Sequence, residues 1–216
     1  MNRMDVRMIN PGFMRYLIPW CIWRGGPENR TVYLTFDDGP HPEHTPDILK
    51  ILKDSQAPGA FFLTGEKTVR HPGVVERIHR EGHTIGNHGF SHKSLALKRR
   101  GAAMDEMTRT GEIIRKITGS SPRFFRPPYG RFDFRFRKWM RELDCRMVIW
   151  SLITGDFRDH DPDFLIGRVR DRIHPGAVIL MHDGLPTTPN LVRALPGILE
   201  LLGKQGYRFG SLDELD

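Results

Sequence analysis

Beyond residue 30 the chain alternates between short apolar or β-branched runs and longer stretches in which apolar positions recur at helical spacing. The short runs predict strands at Val32–Phe36, Ala60–Leu63, Thr84–Gly86, Phe124–Phe125, Met147–Trp150, Val178–Met181 and Tyr207–Phe209. Helix punctuation falls between them: Thr45 and Pro46 as cap and first turn, Pro72 opening a helix that ends at Gly82, and a long run from Arg99 that stops at Gly119. Further helices follow Asp133 and the pair Asp161 and Pro162, and a last one runs from Thr188 and Pro189 to near Gly206, where Pro196 is expected to kink or divide it. Strands and helices alternating in this way imply an α/β fold, an incomplete or distorted (β/α)7-8 barrel, with its site at the C-terminal ends of the strands.

With 216 residues the chain fits one domain, slightly short of the roughly 250 of a complete barrel. A hydrophobic content of 38% without low-complexity tracts excludes a disordered chain. Residues 1–29 read as an N-terminal aromatic segment and residues 30–216 as the α/β domain. The apolar stretch from Phe13 to Trp23 is broken by Arg15 and Pro19 and is too short to span a membrane. It lacks the small-residue site of a cleaved leader, so a cytoplasmic location is the default and cell-envelope association stays open. Packing of this segment on the domain is expected, with contact to a membrane surface as the alternative. Two cysteines, Cys21 and Cys145, exclude a disulfide framework.

A net charge of +7 is compatible with an anionic partner. The densest basic cluster, Arg131, Arg135, Lys138 and Arg141, has helical spacing and reads as a solvated face. No zinc-finger or RNP-like motif accompanies it, so no nucleic-acid partner is expected.

Ionisable side chains cluster just past the strands. Asp37 and Asp38 end the first; His88 and His92 come after the third; Arg126 and Tyr129 after the fourth; Asp156 and Phe157 after the fifth; His182 and Asp183 after the sixth. His88 and His92, four apart beside Gly86 and Gly89, can aim two imidazoles at one ion, and with Asp38 they suit zinc or a similar divalent metal. His79 and His83 share the spacing but straddle a helix end and read as structural. Trp150 and Phe157 are open to two readings, an exposed stacking platform or core packing. Asp183 reads as a turn or supporting residue rather than a catalyst.

Taken in order, Thr35 to Pro40, His88 with His92, Arg126 to Gly130, the segment ending in Asp156 and Phe157, and Val178 to His182 resemble the five motifs of the polysaccharide deacetylases, the NodB-like carbohydrate esterases of family 4. The resemblance covers roughly residues 30 to 212. It implies the NodB fold and a metal-dependent hydrolase that removes N-acetyl groups from amino sugars of peptidoglycan, chitin-like or related glycans. Asp37 is then the general base; Asp38, His88 and His92 hold the metal, zinc or alternatively cobalt, nickel or manganese. Arg126 tunes Asp37, the Tyr129 backbone amide helps hold the oxyanion, His182 paired with Asp156 is the general acid, and Leu180 lines the acetyl pocket. A monomer is expected. Two rivals remain: a same-fold amidohydrolase acting on a small non-sugar amide, and a non-catalytic glycan-binding module. Three positions depart from the family pattern. Gly89 stands where Ser or Thr is usual, Ile153 where Asp is usual, and Phe157 where Trp is usual.

Overall fold

A computed structural model describes residues 14–28 and 30–215. Phe13, and with it the first part of the N-terminal segment, lies outside the described residues. Eight parallel strands build one sheet: β1 (Thr31–Gly39), β2 (Gly59–Leu63), β3 (Thr84–Asn87), β4 (Phe124–Phe125), β5 (Arg146–Met147), β6 (Leu152–Ile153), β7 (Val178–His182) and β8 (Arg208–Phe209). Their order is β5-β4-β3-β2-β1-β7-β6, with β8 alongside β1. The helices are α1 (Met14–Leu17), α2 (His44–Asp54), α3 (Gly65–Arg70), α4 (Pro72–Arg80), α5 (Arg100–Thr118), α6 (Phe136–Glu142), α7 (Pro162–Arg172) and α8 (Thr188–Lys204). The sheet is an incomplete barrel whose seam lies between β5 and β6.

The side-chain alternation of a strand explains both core layers and the site. Val32, Leu34 and Phe36 of β1, with Ile179 and Met181 of β7, turn outward under α2, α4, α7 and α8. Tyr33, Val178 and Leu180 turn inward and pack with Phe62, Phe124, Phe125 and Trp150. Continuing the inward series to the C-terminal ends of the two strands reaches Asp37 and His182, which are register partners. Catalytic candidates are therefore the uppermost layer of the barrel interior.

Residues 21–24 pass across the seam. Ile22 bridges Val148 and Arg24 bridges Ala177, while Cys21, Ile22 and Trp23 are buried in the inner core. This passage also explains a departure from expectation. The apolar run Met147–Trp150 is not one strand: β5 ends at Met147, Ile149 donates to the Ile22 carbonyl, Ser151 donates to Val178, and pairing resumes in β6 against β7. The run is continuously apolar because it stays buried while it changes partners.

Three further departures have physical reasons. Helix α3 is not among the expected elements because it carries no apolar period, its one large aliphatic residue, Val69, being 56% exposed. Helix α8 is continuous through Pro196, because its buried face from Leu191 to Leu202 holds both halves against the sheet. The basic cluster is not one helical face: α6 begins at Phe136, and Arg135 turns back to bind Asp133 and the Lys98 carbonyl.

Candidate active site

Asp37 and Asp38 are brought together by a bulge rather than by a turn after the strand. The β1–β2 register shifts between Asp37 and Gly39, and Asp38 takes a left-handed φ of 70°. A bulge re-aims a side chain that simple alternation would send to the opposite face. Both carboxylates are thus buried on the barrel side, 3% and 8% exposed. Gly39 has no room for a side chain, since a Cβ there would strike the Asp183 carboxylate.

Asp38, His88 and His92 each offer a ligand atom, all within 4.8 Å of one another. His88 Nδ1 lies 2.7 Å from the Arg126 carbonyl, which can only accept, so Nδ1 carries the hydrogen and Nε2 keeps its lone pair. Asp38 Oδ1 is buried and accepts no hydrogen bond, yet it lies 2.9 Å from His92 Nε2 and 3.4 Å from His88 Nε2. An orphaned carboxylate oxygen facing two imidazole nitrogens fits a divalent cation, with two nitrogen donors and one oxygen donor. Burial opposes the charge on Asp38, but His88 and His92 hold it well below the usual carboxylate range. Burial likewise pulls His88 down, and Asp37 and Asp38 outweigh it, leaving the imidazole above its ordinary value.

Arg126 is fully buried. Its Nη1 donates to Asp37 Oδ1 at 2.6 Å and to Thr35 Oγ1 at 2.8 Å, and its Nη2 donates to the Ile149 carbonyl. The guanidinium lies over the Phe62 ring at 4.1 Å. Burial lowers the guanidinium from its ordinary value, and Asp37 opposes the shift. Because Oδ1 is occupied by Arg126, Oδ2 is the oxygen Asp37 presents toward His88, 3.8 Å from Nε2.

His182 approaches from β7. Asp156 is 1% exposed and accepts the His182 backbone N–H at Oδ2, while its Oδ1 lies 3.0 Å from His182 Nδ1. Burial pulls the imidazole down, Asp156 together with Asp38 and Asp37 outweighs it, and the result is a pKa raised to about 9. Phe157 sets its ring edge against His182 at 6.0 Å. Tyr129, at φ 61° in a 3-10 turn, is 39% exposed and its ring stands 4.7 Å from His92. Leu180 is buried in the inner core. Trp150 is buried beneath Gly130, where a Cβ would strike its ring, so it packs and offers no open face for sugar stacking.

Supporting residues other than Asp183, which the sequence marks as a turn or supporting residue, escape the sequence reading. Glu106 of α5 accepts the backbone N–H groups of Phe90 and Ser91 and the Ser91 hydroxyl, and Asn87 accepts from Gly89, so the His88–His92 loop is held although Gly89 has no hydroxyl. Lys67 donates to the carbonyls of Asp38 and Gly184 at 2.8 Å each, tying the ends of β1 and β7. Asp183 is fully buried and accepts from Thr45 at 2.5 Å. Glu106 and Lys67 carry no local signal, because they resemble any solvated helical charge. His83 accepts from the Gly59 backbone, a structural role.

The family model for polysaccharide deacetylases matches residues 24–148. The chain belongs to this family. A peptidoglycan-N-acetylglucosamine deacetylase of Bacillus cereus is 39% identical over 88% of this chain and 70% of its own length. The peptidoglycan-N-acetylmuramic acid deacetylase PdaA of Bacillus subtilis is 34% identical over 90% of the chain and 74% of its own. Among solved structures, the Bc1960 peptidoglycan N-acetylglucosamine deacetylase superposes with a TM-score of 0.89 at 35% identity, covering 93% of this chain and 94% of that one. The family also includes BA3943 of Bacillus anthracis, described as a pseudoenzyme, with a TM-score of 0.84 at 31% identity, covering 90% of this chain and 68% of that one. Family membership therefore does not by itself carry activity, which has to be argued from the residues.

Proposed function

We propose that this chain is a metal-dependent hydrolase that removes N-acetyl groups from amino-sugar units of a peptidoglycan-type or related glycan, releasing acetate. The observation that carries the reading is the flanking of the Asp38–His88–His92 cluster by a proton acceptor and a proton donor on neighbouring strands, Asp37 of β1 and His182 of β7. A binding module needs neither. Both the deacetylase relatives and the glycan named for them support the choice of substrate class.

Asp38, His88 and His92 would hold the ion, zinc by donor type, with cobalt, nickel or manganese as substitutes. When bound, a divalent cation supplies Lewis acidity, acidifying water and polarising the amide carbonyl. Asp37 takes a proton from the attacking water through Oδ2, while Arg126 keeps the carboxylate ionised and fixed. The Tyr129 amide is assigned to the oxyanion, where a fixed N–H donor stabilises developing charge without reorganisation. His182, held protonated by Asp156, gives its proton to the departing amine, a poor leaving group otherwise. Leu180 and Trp150 close the apolar floor beneath the acetyl methyl, and Phe157 limits the wall beside His182.

The test is to strip divalent metal, restore zinc, and measure acetate released from N-acetylglucosamine oligomers of several lengths and from peptidoglycan. Release that depends on zinc and disappears in Asp37→Asn supports the reading. Absence of release from every glycan, with compact amides hydrolysed instead, overturns the substrate assignment.

A further inference from the structure

Two segments leading out of the site carry a surface that the hydrolytic reading does not use. Residues 93–100 continue from His92, and residues 131–142 continue from the Tyr129 turn. They are bound to each other: the Leu97 backbone donates to Asp133 Oδ2 at 2.9 Å, Arg135 donates to the Lys98 carbonyl at 2.9 Å, and Arg100 pairs with Glu142.

Together they hold nine lysines and arginines against two acidic residues, an excess equal to the +7 of the whole chain. The remainder of the protein is formally neutral, so the positive charge is a local feature rather than a general one. The same two segments carry Leu97 and Phe134, each 87% exposed, the most exposed large apolar side chains among the described residues. Next to them along the two segments come Lys98, Arg99, Arg100, Arg131, Arg137 and Lys138, of which all but the half-buried Lys98 are exposed.

These two side chains are displayed by rigid backbone. Leu97 has a left-handed φ of 61°, a conformation a branched residue adopts only when its surroundings impose it. Asp133 imposes it, since the carboxylate that accepts from Leu97 is itself fixed by Arg135 at 2.7 and 2.8 Å. Nothing in the fold requires Leu or Phe there.

We propose that this surface docks the protein onto an anionic lipid membrane, with Leu97 and Phe134 entering the headgroup boundary and the surrounding lysines and arginines pairing with lipid phosphates. Apolar side chains projecting from a basic field are the composition of interfacial binding, in which electrostatic attraction and apolar burial act together. An anionic glycan would use the charge but gains little from an exposed aliphatic side chain such as Leu97. The inference does not depend on the deacetylase reading, because lipid binding requires neither metal nor turnover.

Co-sedimentation of the full chain with vesicles tests it, comparing phosphatidylglycerol mixed into phosphatidylcholine with phosphatidylcholine alone. Binding is expected only with the anionic lipid, to weaken as salt is raised, and to fall about tenfold in the double variant L97N/F134S. Asparagine tolerates the left-handed backbone and residue 134 is solvent-facing, so the variant should keep the wild-type thermal midpoint, which is measured alongside. Absence of binding to anionic vesicles overturns the proposal. Unchanged binding by L97N/F134S, with equal retention on a soluble anionic polysaccharide, overturns it in favour of a glycan-binding role.

Discussion

Arg126 and Asp37 form an ion pair with a 2.6 Å contact, inside a shell made of Thr35, Phe62 and the carbonyls of Val148 and Ile149. The pair places a charged carboxylate where the barrel interior would otherwise be apolar, and each partner depends on the other. Removing one partner of a buried pair costs about 3–5 kcal/mol, chiefly because the other charge is left uncompensated. Arg126→Met should therefore lower the denaturant midpoint strongly and abolish acetate release. Asp37→Asn combined with Arg126→Met should recover much of the stability and none of the activity, since the uncompensated charge is gone but the proton acceptor is too.

His182 supplies the pH dependence. Against the pull of burial, its pKa is raised to about 9 by Asp156, with Asp38 and Asp37 contributing, so it is protonated at neutral pH. The activity should fall on the alkaline side as His182 loses its proton, at or below about 9 because a neighbouring cation disfavours the imidazolium. Asp156→Asn should move that limb toward lower pH, measured as kcat/KM against pH. The same shift has a stability consequence: the contribution is complete below the ordinary imidazole range of about 6.5 and is lost as pH rises through about 9.

Asp183 is shifted upward by burial, opposite in direction to Asp38. Burial raises it to about 7, with Thr45 opposing, and its Oδ1 accepts no hydrogen bond. A carboxyl raised on folding favours the folded state while protonated and loses that contribution as pH climbs from about 4 through about 7. Relative to Asp183→Asn, the wild type should therefore lose stability across that window and run parallel to it above. Denaturant titrations of both proteins at a series of pH values provide the comparison.

Glu106 braces the His88–His92 loop from outside it. Its three contacts with Phe90 and Ser91 fix the backbone between His88 and His92. Outer supports of this kind are worth about 10–100-fold in metal affinity. Glu106→Ala should weaken zinc binding by that range in a chelator competition assay while leaving the fold intact.

Much of this arrangement is legible in the chain. The β-branched run ending at Asp37, the His88 and His92 spacing, and the placement of ionisable residues after successive strands reflect alternation and turn chemistry, which are local properties. The illegible parts depend on long-range packing. Leu152 and Ile153 form a strand because β7 lies beside them, and residues 21–24 take up part of the seam, neither of which is encoded in a local period. Trp150 could be a platform or a core residue on composition alone, and it is the proximity of Gly130 that buries it. Glu106, Lys67 and Thr45 act through partners far away in sequence, so their neighbours in the chain say nothing about them.

The central claim is that one ion is shared by Asp38, His88 and His92 between Asp37 and His182. A crystal of the zinc-restored protein, measured at the zinc absorption edge, tests it directly. The expected result is one strong anomalous peak at about 2.0–2.2 Å from Asp38, His88 and His92. A peak coordinated elsewhere, or none at that cluster with zinc in excess, would contradict it.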